Sequence, residues 1–354
     1  MKEYKVMSEP SIIYPEMLKD IAKAKKYIYL ETYKFDNDVI GTRFKEELIK
    51  KAKEGVEIKV LFDAFGSNAK LEFFNDLIKA GGEVKIFKKL KSFFFGFRKN
   101  IKINNERNHR KLLLIDDSIS YLGSMNITLT GIINRELVLR VRGDITAKLV
   151  DSFLHTWGRY GKLNKKRFKS MLHKNLEIIQ DFPSIYSRIT ESKFKKLINS
   201  AKKSIMIETP YFIPSERIVK SLIKKAKKGV NISIIIPEDS EVKLVDIVIG
   251  RYLGRLYKNN INIYVYKRSL LHAKLLIIDE KFFMFGTSNV DYRSFMYQFD
   301  INFLGKDKEL IKQFKKHFGE TLIKSVPFDY QKWRSRSSFN KILEHLILRI
   351  KEYL

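Results

Sequence analysis

The sequence predicts an α/β fold built twice, as two similar halves in which strands alternate with helices. The first observation behind this is an internal repeat. KYIYLETYKF (26–35) returns as KSIMIETPYF (203–212), and KAKEGVEI (51–58) as KAKKGVNI (225–232). HRKLLLID (109–116) returns as HAKLLIID (272–279), and GSMN (123–126) as GTSN (286–289). The order is the same both times, the mark of a duplicated unit. The second observation is the alternation inside each copy. Short β-rich runs flank Lys/Glu-rich helical stretches, the pattern of βαβ units in a parallel or mixed sheet with helices on both faces.

Taken in order, IYLET (28–32) reads as a strand, followed by a helix that stops at Gly55 and a second strand, IKVLFD (58–63). The second copy repeats this with IMIET (205–209), a helix ending at Gly229, and ISIIIP (232–237). Glycine after a Lys-rich helical stretch is a C-terminal stop signal. The basic stretch GRYGKLNKKRFKS (158–170) marks the boundary. We therefore expect a first half over 1–165 and a second over 175–354. The second should close with an amphipathic helix bearing Phe339, Ile342, Leu343, Leu346, Ile347 and Ile350 at helical spacing. From Lys51 to Lys225 the offset is 174 residues, and from His109 to His272 it is 163. The first half thus carries an extra segment, residues 88–108, just before its histidine.

Composition narrows the function classes. The 354 residues are 44% hydrophobic and hold no cysteine, which removes disulfides, thiolate nucleophiles and cysteine-zinc sites. The formal charge of +29 selects anionic partners: nucleic acid, an anionic membrane or an acidic substrate. The N-terminal residues lack the apolar core of a secretory signal, and no apolar run approaches the roughly 20 residues that span a bilayer. Contact with a membrane is therefore expected to be peripheral.

The repeated HxKxxxxD motif carries the chemistry. Residues two apart in a strand share a face, so His109 sits beside Lys111, and His272 beside Lys274. Asn126 and Asn289 follow at equal distance, preceded by Ser124 and Thr287. Phosphodiester exchange needs a nucleophile, an acid for the leaving alkoxide, and donors for the non-bridging oxygens. Two His, two Lys and two Asn supply these, and no metal or cofactor is called for. One histidine must be neutral while the other is protonated, so their surroundings must differ. Glu136 and Asp300, 27 and 28 residues after His109 and His272, are candidates to orient the rings. Asp116 and Asp279 fall on the opposite face, where a turn-bracing role is expected.

These residues resemble the phospholipase D superfamily, and within it the bacterial cardiolipin synthase branch. RNHRKLLLIDD with GSMNIT is similar to that branch's first motif, and LHAKLLIIDE with GTSNVDYRSF to its second. IETPYFIPSE (207–216) and the terminal WRSRSSFNKILEHL also resemble the branch. Two departures stand out: the chain lacks the two N-terminal transmembrane helices of many members, like a short form, and it has Gln298-Phe-Asp300 where Asn-Phe-Glu is usual.

The resemblance implies two similar halves about a pseudo-twofold axis sharing one active site, and a covalent phosphohistidine. It makes His109 the nucleophile and His272 the general acid, although the near-symmetry of the sequence leaves the reverse open. It implies transfer of a phosphatidyl group from one phosphatidylglycerol to another, with Arg293 among the phosphate-supporting residues. Hydrolysis by water, or a phosphodiesterase or nuclease activity of the same superfamily, remains an alternative. Both motifs in one chain and the DxRSF tail favour lipid over nucleic acid.

Phe93, Phe94, Phe95 and Phe97 stand among Lys and Arg in the 88–108 segment and read as a membrane wedge. Anionic lipid offers about 1 kcal/mol per nearby basic residue. The expected location is peripheral, on the cytoplasmic face of the cell membrane. The sequence leaves the oligomeric state, the acceptor and the leaflet open.

Overall fold

The computed structural model describes residues 3–87, 106–158, 170–183, 188–240 and 242–337. The aromatic segment at 93–97 and residues 338–354 of the expected terminal helix lie outside the described residues.

The first half runs β1 (Glu3–Met7), α1 (Pro10–Ala22), β2 (Tyr27–Thr32), α2 (Val39–Lys53), β3 (Glu57–Asp63), α3 (Asn75–Lys79), β4 (Glu83–Phe87), β5 (Arg107–Asn108), β6 (Leu112–Ile115), β7 (Ile119–Gly123), β8 (Val138–Arg142) and α4 (Ile145–Gly158). The second runs β9 (Met171–His173), β10 (Leu176–Asp181), α5 (Ile189–Ser200), β11 (Ser204–Glu208), β12 (Phe212–Ile213), α6 (Glu216–Ala226), β13 (Asn231–Pro237), α7 (Lys243–Tyr257) and β14 (Asn262–Tyr266). It continues with β15 (Leu275–Ile278), β16 (Phe282–Gly286), β17 (Val290–Asp291), α8 (Tyr292–Met296), β18 (Gln298–Gly305), α9 (Lys308–Ile323), β19 (Ser325–Pro327) and α10 (Tyr330–Arg334).

The duplication is visible in the sheets. The first sheet has the order β1-β8-β7-β6-β2-β3-β4, and the second repeats it as β10-β18-β16-β15-β11-β13-β14. β9 and β19 extend the two edges of the second sheet. Both sheets are mixed: β2, β3 and β4 run parallel to one another, while β6 is antiparallel to β2. The helix stops fall where glycine signalled them, with Gly55 at φ +84° and Gly229 at φ +80°, values that a side chain would resist.

Every residue of β6 and β15 is buried, so these strands are apolar throughout rather than alternating. Their two faces serve different cores. Leu112, Leu114, Leu275 and Ile277 join a central core with Phe153 and Trp157 of α4 and Phe314 and Phe318 of α9. Leu113 and Ile115 face the outer core under α1 and α2, and Leu276 and Ile278 the outer core under α5, α6 and α7. The result is five layers, with α4 and α9 between the sheets. Full burial of each such Leu or Ile is worth about 1.5–3 kcal/mol, which fixes the strand ends from which the motif residues project.

Candidate active site

The histidines do not sit within the strands, as the spacing predicted, but in the extended segments leading into β6 and β15. Each segment is bound to the other half. β5 pairs in parallel with the start of β18, and the His109 amide donates to the Phe299 carbonyl at 2.9 Å. Arg135 bridges Leu271, and the His272 amide donates to the Arg135 carbonyl at 2.8 Å. The strand that positions one histidine is thereby zipped to the chain that carries the other half's carboxylate.

The carboxylates are consequently crossed. His109 Nδ1 lies 3.0 Å from Oδ1 of Asp300, and His272 Nδ1 lies 3.0 and 2.9 Å from the two oxygens of Glu136. Chain order puts each acid behind its own half's histidine; the structure pairs it with the opposite one. The cause is the inter-half strand pairing, a contact that spacing within a half does not encode. The Thr287 hydroxyl donates to Asp300 at 2.6 Å and the Ser124 hydroxyl donates to Glu136, which fixes both carboxylates. The carboxylates take Nδ1 of each ring, which makes Nε2 the nitrogen that phosphoryl chemistry would use.

Lys111 Nζ donates to its neighbour's carbonyl, His109 O, at 2.6 Å, and Lys274 Nζ to His272 O at 2.5 Å. Both ammonium groups are buried. The Asn126 side-chain oxygen accepts from the Lys34 amide at 3.2 Å, and the Asn289 amide donates to Ser294 at 3.1 Å. Asp291 caps α8 by accepting from the Ser294 amide. Arg293 lies with Arg107 over the ring of Phe65, at 5.5 and 5.3 Å from its centroid. The motif aspartates are remote from this group. Asp116 accepts from the amides of Lys25, Lys26 and Tyr27, and Asp279 from those of Lys202, Lys203 and Ser204, which braces the turns into β2 and β11.

The electrostatics differ between the two pairs. Burial pushes the His109 imidazole well below its usual value, and the charges of Lys111, Lys274, His272 and Arg293 push the same way. Burial lifts its partner Asp300 to about 7, against the lowering effects of Thr287 and Lys111 and with those of Asp181 and Asp291. Glu136 behaves oppositely. Burial raises it, but the charge and hydrogen bond of His272, with Lys274 and Ser124, bring it down to about 2. The His109–Asp300 pair is thus held poor in charge, whereas Glu136 behind His272 is held as a carboxylate.

Several residues around the site escaped the motif reading. The Tyr33 ring meets the His109 ring edge-on at 5.1 Å, and Lys111 Nζ lies 5.3 Å from its centroid. Buried Glu31 pairs with Arg110 at 3.3 Å and accepts from Asn108 at 2.8 Å. Arg110 also donates to Ser152 and Thr156 of α4. Glu208, the repeat of Glu31, instead meets His317 at 3.1 Å, and His317 reaches Ser8 of the first half at 2.6 Å. The available signal was the glutamate repeated at the end of IYLET and IMIET, an acid in an otherwise apolar strand.

A family described as cardiolipin synthase, phospholipase D (PLD)-like domain, matches residues 17–157 and 194–322. The chain belongs to this family. Its cardiolipin synthase relatives include one from Clostridium perfringens, 32% identical over 355 residues that cover 95% of this chain and 73% of the relative. The major cardiolipin synthase of Bacillus subtilis is 30% identical over 349 residues, covering 94% of this chain and 71% of its own. In fold, the chain is similar to a phosphatidylserine synthase of Haemophilus influenzae, with a TM-score of 0.75 over 99% of this chain and 95% of that one at 12% identity. As a member of the cardiolipin synthase family the chain is a PLD-type transphosphatidylase, with the duplicated α/β fold that its repeats announced. Among the described residues, no helix is long and apolar enough to cross a membrane.

Proposed function

We propose that the chain joins two phosphatidylglycerol molecules into cardiolipin and releases glycerol, by way of a covalent phosphohistidine on His109. The observation that carries this reading is the crossed and electrostatically unequal pair of histidine–carboxylate couples. Neutral His109 offers the Nε2 lone pair to phosphorus, with Asp300 accepting at Nδ1. The bond from phosphorus to the departing glycerol oxygen breaks, and that oxygen takes the proton from His272, whose charge Glu136 supports. The acceptor's hydroxyl then gives its proton to the now neutral His272 and attacks phosphorus. The phosphorus–nitrogen bond breaks and His109 is regenerated. Lys111, Lys274, Asn126 and Asn289 are assigned to the non-bridging oxygens, where charge accumulates. Arg293 supports the phosphate from the second half. We assign these steps to the two halves 1–165 and 175–354 acting together, on a protein held peripherally at an anionic membrane.

The test is incubation with phosphatidylglycerol vesicles, followed by mass analysis of the lipids and an alkaline-stable phosphohistidine assay. Cardiolipin plus free glycerol is the expected result. Phosphatidic acid alone would make water the acceptor, and cleavage of nucleic acid with no lipid product would overturn the lipid reading. His109→Ala should abolish the phosphoenzyme, whereas retention of it in that variant would move the nucleophile to His272.

A further inference from the structure

The two halves treat one repeated segment in opposite ways. After GTSN in the second half, the chain buries its apolar side chains: Val290, Phe295, Met296 and Tyr297 are all in the core. After GSMN in the first half, Leu129, Ile132 and Ile133 point outward, 42%, 42% and 72% exposed. Val39, 64% exposed, stands beside them, because its neighbour Asp38 accepts from the Leu129 amide at 2.6 Å. This loop is anchored firmly. Thr128 donates to Asp36 at 2.6 Å, Tyr14 donates to the Thr128 carbonyl at 2.8 Å, and the Asn134 side chain donates to Glu136 at 3.4 Å. Apolar side chains displayed on a fixed loop need a partner more than singly scattered ones do.

The loop's position names the partner. It leaves the end of β7, which pairs antiparallel with β6, so it emerges at the same end of the sheet as Lys111 and His109. Its last anchor is the carboxylate on His272. A chain of formal charge +29 is complementary to an anionic surface. Four side chains offer far less than the roughly 800 Å² per partner of a stable protein interface, which argues against a second protein or a second copy.

We propose that Val39, Leu129, Ile132 and Ile133 form a docking edge that seats the mouth of the active site in an anionic phospholipid bilayer. The inference rests on the proposed lipid reaction for the identity of its partner. It extends that reading by giving the first half a lipid-contacting edge at a segment whose repeat in the second half is buried.

The experiment compares wild type, Ile132→Ser/Ile133→Ser, and Leu172→Ser. Leu172 is 76% exposed on β9, which pairs with the far end of β10, away from the site. Co-sedimentation with equimolar phosphatidylglycerol–phosphatidylcholine vesicles should weaken by about tenfold or more in the double variant only. Turnover of dihexanoyl phosphatidylglycerol below its micelle threshold should stay at the wild-type level. Unchanged sedimentation of the double variant overturns the proposal, as does an equal loss on vesicles and on monomeric lipid, which would mean damage to the site. A wild-type dimer that the double variant dissolves in light scattering also overturns it. Vesicle binding lost in the double variant, from a wild type that converts no lipid, would uphold the docking edge and refute the lipid reaction.

Discussion

Glu136→Gln removes the buried carboxylate from behind His272 while keeping its shape and its contact with Ser124. In the folded protein Glu136 stands at about 2, although burial alone would raise it from 4.5. A displacement of two to three units is worth roughly 3 kcal/mol at 1.36 kcal/mol per unit. His272 supplies the largest part of that pull, so the imidazolium loses a comparable stabilisation when the charge is removed. Allowing for the shares of Lys274 and Ser124, the expected loss is on the order of 100-fold in transfer from phosphatidylglycerol. The sign follows from the role. In the proposed mechanism His272 is protonated when it releases the glycerol oxygen, so the alkaline limb of the rate profile should move to lower pH. The assay pairs natural phosphatidylglycerol with a phosphatidyl nitrophenol, whose leaving group departs without a proton. Glu136→Gln should keep near wild-type formation of the phosphoenzyme from the nitrophenyl ester. Asp300→Asn, which disturbs His109, the proposed nucleophile, should lose both substrates. An equal defect of Glu136→Gln on both esters would refute the crossed assignment of roles.

Other perturbations reach different parts of the molecule. Asp181→Asn should stabilise the protein near pH 7.5 by about 2 kcal/mol in urea unfolding and have little effect near pH 4. Burial lifts Asp181 to about 6 in the fold, so its ionisation weakens the folded state as pH rises from 4 to 6. The asparagine oxygen can still accept from the Thr190 amide, as Asp181 does at 3.2 Å. Asp116→Ala leaves three backbone amides without their acceptor and should lower stability by about 1–2 kcal/mol, with turnover per folded molecule retained. Arg110→Met strands Glu31 in the core and should cost about 3–5 kcal/mol, much of it recovered in the Arg110→Met/Glu31→Leu double variant, both read by chemical denaturation.

Much of this was legible before any coordinates. The repeats announced two similar α/β halves, and the structure has two sheets of one strand order in which LLLI and LLII are buried throughout. Gly55 and Gly229 marked helix ends, because their left-handed backbone excludes most other residues. Parity placed the motif aspartates on the face opposite the histidines, where a turn-bracing role was expected, and they accept from the turn amides before β2 and β11. What spacing did not reveal was which carboxylate meets which histidine, since that is fixed by pairing β5 with β18 and Arg135 with Leu271. The same holds for the buried links of Arg110 and His317, which tie one half to the other across separations that a linear reading does not connect. Arg110 in the first motif corresponds to Ala273 in the second, so the two halves support their glutamates by unlike means.

The exchange of carboxylates has a consequence for descent. A single unit with one histidine and one acid cannot complete a couple with itself, yet two identical copies face to face would complete both. Fusion of such a pair into one chain preserves every couple on the day it happens. Only afterwards can the units diverge toward the unlike roles proposed for them, and each step must suit the opposite unit's ring. A change at Glu136 is therefore felt first at His272 of the opposite unit, and a change at Asp300 at His109, rather than at the histidine of the same unit.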